Sequence, residues 1–277
     1  MPVPSSPTPG VAVVTGASSG IGAAFAERLG ALGYDLLLVA RRHEQLTQRA
    51  ERIASASGVR VDCLAVDLAD KEGLKRVQDR IAAEPNLALL VNNAGVGGIA
   101  PFIEMDETSI EQMIALNVVA LTQLTRAALP RLMERRGAVI NVASGAAFAT
   151  LSGAAVYGAT KAYVVQFTRT LQEEVGGEGV RLQALVPGLT RTNLGGVEGS
   201  DFFDRFPPEW VMSPQDVVEA SLAGLKLGEL VCIPAMEDLD RWARTAEALQ
   251  GLGLGVSSNR IAGRYREAPR GDESPLD

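Results

Sequence analysis

The chain has 277 residues, of which 47% are hydrophobic and 21% charged, with a formal net charge of −7. That is ample material for a buried core, and the composition does not suit a disordered chain. The negative balance argues against a general nucleic-acid or anionic-membrane binder, which needs a basic face.

The two cysteines, Cys63 and Cys232, are too few for a disulfide framework and read as buried core thiols in apolar runs. His43 is the only histidine, so no histidine-based zinc site is expected. Met1–Gly10 holds four prolines and no apolar stretch. It is expected to be a disordered leader, neither signal peptide nor membrane helix. No other stretch is expected to span a membrane, which makes a cytoplasmic protein the expectation.

From Val11 the pattern alternates strand and helix. Val11–Thr15 is a continuous apolar run, as expected of a parallel strand covered on both faces. A glycine turn and a helix through Leu32 follow, then a strand at Asp35–Ala40 and a helix at Glu44–Ser55. Further strands are expected at Val61–Asp67, Leu87–Asn92, Gly137–Ala143 and Val180–Val186. Helices fall at Lys71–Ala83, at Thr108–Arg135 (one long helix or a pair) and at Tyr157–Val175. Ser213-Pro214-Gln215-Asp216 has the form of a helix start, and Leu230–Pro234 of a seventh strand.

Repeated strand–helix units at this spacing predict an α/β fold of the Rossmann type. It is a doubly wound parallel sheet of about seven strands with helices on both faces, in one domain from 11 to 267. Residues 268–277 read as a loose tail.

The turn Thr15-Gly16-Ala17-Ser18-Ser19-Gly20-Ile21-Gly22 stands between a strand and a helix, the context of a dinucleotide site. Its glycines let the backbone approach a pyrophosphate, which the helix N-terminus then holds. Gly16, Ser18, Ser19, Gly20, Ile21 and Gly22 are the contacts expected. About twenty residues on, Arg41 and Arg42 stand where an NAD-binding protein would carry an acid. Two guanidinium groups suit a 2′-phosphate, so NADP(H) is favoured over NAD(H), although the glycine turn itself has no basic residue.

Tyr157 and Lys161 are four residues apart, on one face of a helix. A phenol with a pKa near about 10 is a poor base at neutral pH unless a cation stabilises the phenolate, which an ammonium one turn away would do. Ser144 ends the fifth strand at the edge where such sheets bind ligands. Its hydroxyl would hold a substrate oxygen while the tyrosine transfers a proton.

In these motifs the sequence resembles the short-chain dehydrogenase/reductase family, from about Val11 to Val186 and more weakly to Pro234. The matching pieces are TGASSGIG (15–22), Asp67-Leu68, NNAG (92–95), Asn117, Ser144, Tyr157 with Lys161, and PGLTRT (187–192). The resemblance implies that Asp67 and Leu68 lie along the adenine, with Asn93, Ala94 and Gly95 beside the ribose. It implies that Tyr157 and Lys161 also touch the cofactor, and that Asn117 holds a water relaying protons to Lys161. Pro187, Gly188, Thr190 and Thr192 would hold the nicotinamide end. Asn92 and Asn93 have a second reading, as braces of the strand.

The expected activity is hydride transfer between NADP(H) and a carbonyl or secondary alcohol substrate. Two rivals remain: a nucleotide-sugar epimerase or dehydratase with the same Tyr–Lys pair, and a non-catalytic NADP-binding regulatory protein. Residues 193–212 are expected to form a substrate lid carrying Phe202, Phe203, Phe206 and Trp210. Those aromatics read equally as an apolar cover for substrate and as packing. A homodimer or homotetramer is expected, through Val164, Val165, Phe167 and Leu171 and through the last strand, unless these fill the core.

Overall fold

The computed structural model describes residues 9–192 and 200–266; of 200–202 and 239 it describes the backbone alone. Most of the expected leader, the first part of the expected lid and the expected tail lie outside the described residues.

Seven apolar runs become strands: β1 Val11–Thr15, β2 Asp35–Ala40, β3 Val61–Ala65, β4 Leu87–Asn92, β5 Ala138–Val142, β6 Arg181–Leu185 and β7 Val231–Cys232. They pair in the order β3-β2-β1-β4-β5-β6-β7, all parallel. Parallel strands need long crossovers, and helices supply them. These are α1 Gly20–Ala31, α2 His43–Ser57, α3 Lys71–Ala82, α4 Glu107–Ile114, α5 Leu121–Arg135, α6 Ala155–Val175 and α7 Pro214–Leu227.

Each face of the sheet carries its own apolar layer. Phe25 and Leu29 of α1, Leu46 and Ile53 of α2, and Val217 and Leu225 of α7 cover one. Leu74, Val77 and Ile81 of α3, Leu124 and Leu132 of α5, and Leu171 of α6 cover the other. Truncating a fully buried ring such as Phe25 to alanine would cost about 3–5 kcal/mol. The helix starts follow the local sequence. Asp70 accepts from Gly73 N at 2.8 Å, Asp106 from Ser109 N at 2.8 Å and Ser213 from Asp216 N at 3.1 Å.

Several expectations are corrected. The third strand stops at Ala65, although Val66 N still donates to Ala40 O at 3.0 Å. Cys63 is exposed because β3 is an edge strand, whereas Cys232 is buried as expected. Glu107–Arg135 is long and apolar enough to cross a membrane by length and composition. Part of its apolar side packs on the sheet, through Leu116, Leu124 and Leu132, and Met113 is also buried. Val164, Val165 and Leu171, read as a subunit contact, are buried within the chain, as are Val231 and Cys232.

The chain packs as two units, Met1–Ala235 and Met236–Asp277. The first holds the whole sheet. The second holds α8, Leu239–Gly255, capped by Asp238, and a short helix α9, Gly263–Arg266. The single domain expected from 11 to 267 takes in both.

Between α4 and α5 the helix widens into a π-helical stretch, Ala115–Ala120, with Asn117 inside it. Such bulges recur at functional sites because they turn side chains and carbonyls out of the ordinary helical register.

Candidate active site

The order of the strands puts the switch point between β1 and β4, and ligands of such sheets bind beyond the carboxyl ends there. After Thr15 the backbone turns through Gly16 (φ 67°) and Gly20 (φ 56°), a region that favours glycine. Gly22 is needed for a different reason. A Cβ there would lie 2.4 Å from both Gly16 O and Asn93 Nδ2, so α1 could not sit this close to the strands.

Ser19 takes the N-cap position of α1 without a side-chain capping bond. Among the described residues the first amides of α1 have no side-chain cap, and such amides suit a phosphate. The Ser19 hydroxyl instead accepts from the Arg42 guanidinium at 3.0 Å, and the Ser18 hydroxyl does so at 3.1 Å. The basic group missing from the glycine turn is thus lent to it by the end of β2. Thr15 pairs with Val39, which brings the two strand ends to one edge, and that pairing is the signal from which the contact follows. Arg49 was not singled out in the sequence, yet it also reaches the turn, donating to Ser18 O at 3.4 Å. Arg41 points elsewhere, to Asp67 at 3.8 Å, in an exposed ion pair of little energetic weight.

Just beyond β3, Leu68 is buried and Asp67 accepts from Ala69 N at 2.9 Å. Thr15 Oγ1 accepts from the backbone amides of Asn93 and Ala94 at 3.0 and 2.9 Å, and Asn93 Nδ2 donates to Thr15 O at 2.9 Å. The Asn93 amide thereby ties the ends of β4 and β1 together. The bracing reading holds for this nitrogen, and for Asn92, whose side chain is buried in the sheet.

The four residues read as catalytic do come together. Ser144 lies just beyond β5 and accepts from Ala146 N at 3.2 Å. Tyr157 stands in the first turn of α6, which packs on that same loop. Burial raises the Tyr157 pKa above its ordinary value, and a side-chain hydrogen bond with Ser144 pulls against it. Lys161 is buried, its Nζ lies 5.8 Å from the Tyr157 ring centre, and it donates to Val142 O at 2.9 Å. Burial lowers its pKa to about 8.

This balance differs from the expectation of a phenol made acidic by its neighbour. Desolvation outweighs the Ser144 hydrogen bond, so the phenol's pKa lies above its ordinary value. Asn117 clamps Val96 with both ends of its amide: Oδ1 accepts from Val96 N and Nδ2 donates to Val96 O, each at 2.9 Å. Nδ2 also donates to Thr160 Oγ1 at 3.1 Å. Gly95 fits between these groups; a Cβ there would lie 3.1 Å from Asn117 Oδ1 and 3.5 Å from Lys161 Nζ.

Pro187 O accepts from Gly145 N at 2.9 Å, joining this loop to the segment after β6. Thr190 is buried, with its hydroxyl on Gly188 O at 3.2 Å, whereas Thr192 lies against Gly20. Thr192 thus sits at the glycine turn. Thr190 bridges to Met212, which closes the base of the expected lid. Of its aromatics, Phe203 is buried, Phe206 half-buried and Trp210 exposed, with short 3₁₀ turns at Ser200–Arg205 and Pro208–Trp210.

A doubly wound parallel sheet with this glycine turn defines a nucleotide-binding protein of the Rossmann class. A family model described as short chain dehydrogenase matches residues 10–201, and the chain belongs to that family of oxidoreductases. It is 38% identical to a short-chain dehydrogenase from Sphingobium yanoikuyae solved in complex with NADPH. That match covers 92% of this chain and 100% of the other, with a TM-score of 0.86. A bulky-bulky ketone specific alcohol dehydrogenase from Comamonas testosteroni is 33% identical, covering 92% and 98% of the two chains with a TM-score of 0.84. Sulfoacetaldehyde reductase 2 of Chromohalobacter salexigens is 36% identical over 188 residues, 66% of this chain and 74% of that protein.

Proposed function

We propose that the protein transfers hydride between NADP(H) and a carbonyl or secondary alcohol substrate, with Tyr157 as acid and base. The observation that carries this reading is the meeting of Ser144, a half-buried Tyr157 and a buried Lys161 at the sheet edge that also bears the open glycine turn. The residues present fit the cofactor: α1 begins with uncapped amides, Gly22 lets that helix sit close to the strand ends, and Arg42 with Ser18 and Ser19 suits a 2′-phosphate. The NADPH complex of the Sphingobium relative supports the same preference.

When bound, NADPH supplies the hydride for the carbonyl carbon. Ser144 donates a hydrogen bond to the substrate oxygen and stabilises its growing charge. Tyr157, whose pKa desolvation raises, gives its proton to that oxygen and completes the alcohol. The Lys161 ammonium stabilises the phenolate left behind until solvent returns the proton. Asn117 acts through Val96, holding the β4 loop beside Lys161. Oxidation runs the same path backwards.

The substrate class proposed is an uncharged ketone with apolar groups. Residues 93–103 and 143–156 flank the candidate site and contain no Asp, Glu, Lys or Arg. Ile99, Phe102, Ile103, Phe148 and Leu151 stand exposed on them, and Ala100 N joins the two loops through Gly153 O at 3.0 Å. Exposed apolar groups at a cleft mark a binding surface. A sulfonate, as in the substrate named for the Chromohalobacter relative, would meet no cation on either loop. The bulky ketones named for the Comamonas relative fit this surface better.

A homodimer or homotetramer belongs to the same proposal. Its supporting surface is Ile114, Val119 and Tyr163, exposed on the long helices in place of the buried residues first considered. The deciding experiment follows NADPH oxidation with propiophenone, acetone and sulfoacetaldehyde, with NADH in parallel. Turnover fastest on propiophenone and with NADPH is expected; no turnover of any carbonyl would overturn the reading.

A further inference from the structure

Four polar side chains lie in the driest part of the sheet: Asn92 at 3% exposure, and Thr125, Asn141 and Thr168 at 0%. Asn92 of β4 and Asn141 of β5 are direct cross-strand partners. Asn92 Nδ2 donates to Asn141 Oδ1 and to Thr125 Oγ1 of α5, each at 2.9 Å. Asn141 Nδ2 donates to Thr168 Oγ1 of α6 at 3.0 Å. The threonines pass their own protons one turn back, Thr125 to Leu121 O at 2.8 Å and Thr168 to Val164 O at 2.7 Å.

Apolar residues would fill these positions without the cost of desolvating amides and hydroxyls. The network does not even satisfy itself, since Asn92 Oδ1 is buried with no partner among the described residues. What it offers beyond stability is direction, because each bond runs one way and only one placement of the helices satisfies every donor.

That direction acts on the helix that carries the chemistry. Thr168 lies seven residues after Lys161, two turns along the same face of α6. Asn141 immediately precedes Val142, whose carbonyl takes the Lys161 ammonium, and Ser144 is two residues further. Helix α6 is therefore held on β5 at two points, one of them the catalytic lysine. The apolar contacts between helix and sheet are non-directional and would tolerate a small axial slide. The hydrogen bonds would not.

We propose that the Asn141–Thr168 bond, backed by Asn92 and Thr125, sets the axial position of α6 on β5 and so places Tyr157 and Lys161 against Ser144. It rests on the reading of Tyr157 and Lys161 as the proton-transfer pair. Asn141 and Thr168 are positioning residues and touch no reacting atom.

The test uses the full chain with NADPH and propiophenone. Thr168→Val keeps shape and removes the hydroxyl, Thr168→Ala leaves room for a water to serve Asn141, and Thr168→Ser keeps the bond. Ile53→Ala, in the core under α2, controls for lost stability alone. Each variant is read for melting temperature, NADPH affinity, kcat, KM and the Lys161 titration followed by NMR in the cofactor-free protein.

Thr168→Val and Thr168→Ala should lower kcat about tenfold to a hundredfold, with KM and NADPH affinity nearly unchanged and the Lys161 midpoint moved from about 8. Thr168→Ser should restore both readings, and the control should lose stability while keeping them. Loss of stability in Thr168→Val with kcat and the lysine titration unmoved would overturn the proposal, as would failure of both Thr168→Val and Thr168→Ala to fold. Turnover surviving in Tyr157→Phe would instead sink the underlying reading, and the two failures are distinguishable.

Discussion

The two halves of the candidate site are built from different materials. On the β1–β2 side the chain offers backbone and surface: glycines without side chains, uncapped amides of α1 and an exposed Arg42 bonded to two serine hydroxyls. On the β5–α6 side it offers buried polar side chains, Lys161, Asn117, Thr160 and the Asn–Thr network, each tied to backbone or to another amide. Under the proposed function the first half would bind a large anionic ligand without ordering much of the protein, and its faults should appear as affinity. The second half holds a few atoms in fixed places at a desolvation cost, and its faults should appear as turnover and pH dependence.

The sharpest way to break this contrast is Tyr157→Phe. Turnover should fall at least a hundredfold, the scale of lost general acid catalysis, while NADPH binding by fluorescence changes little; retained turnover would remove the acid–base role. Next comes Gly22→Ala, whose Cβ would meet Gly16 O at 2.4 Å. Overpacking of this kind costs about 1–3 kcal/mol, so a lowered melting temperature and weaker NADPH binding are both expected. An unchanged affinity would show that α1 does not approach the cofactor closely.

Arg42→Ala is a smaller and cleaner change. A charge-assisted bond contributes roughly 1.5–3 kcal/mol, so NADPH affinity should fall tenfold or more and NADH affinity should hold. Parallel losses for both cofactors would place the arginine away from the 2′-phosphate.

The smallest effect concerns stability and pH. The pKa of Lys161 is depressed in the folded protein, to about 8 from 10.5. Between those values the unfolded chain binds more protons, so this group makes stability rise with pH. Below that window its buried charge opposes folding in full. Lys161→Met should therefore be more resistant to urea than wild type at neutral pH. That advantage should shrink between about pH 8 and about pH 10. An advantage constant across that range would mean the ammonium is better solvated than its burial implies.

Much of the molecule could be read along the chain because its signals are local. The apolar runs of β1, β2, β4 and β5, the glycine turn, the serine cap at Ser213 and the four-residue spacing of Tyr157 and Lys161 each depend on neighbours within a turn or two. Their elements appear within a residue or two of where the periodicity puts them. The rest depended on which elements became neighbours in space. Val164, Val165 and Leu171 looked like a free apolar stripe until α6 lay on the sheet, and Cys63 looked like core until β3 became an edge.

By itself, then, the sequence determined a parallel α/β sheet, a phosphate-sized turn after the first strand and a Ser–Tyr–Lys set, since backbone geometry and helical period require only nearby residues. The tertiary structure alone decided that Arg42 supplies the base the glycine turn lacks, that desolvation raises the Tyr157 pKa and draws that of Lys161 down to about 8, and that Asn92 faces Asn141. Hydrogen bonds and desolvation act over a few ångströms between residues dozens of positions apart, and those distances exist only once the strands have taken their order.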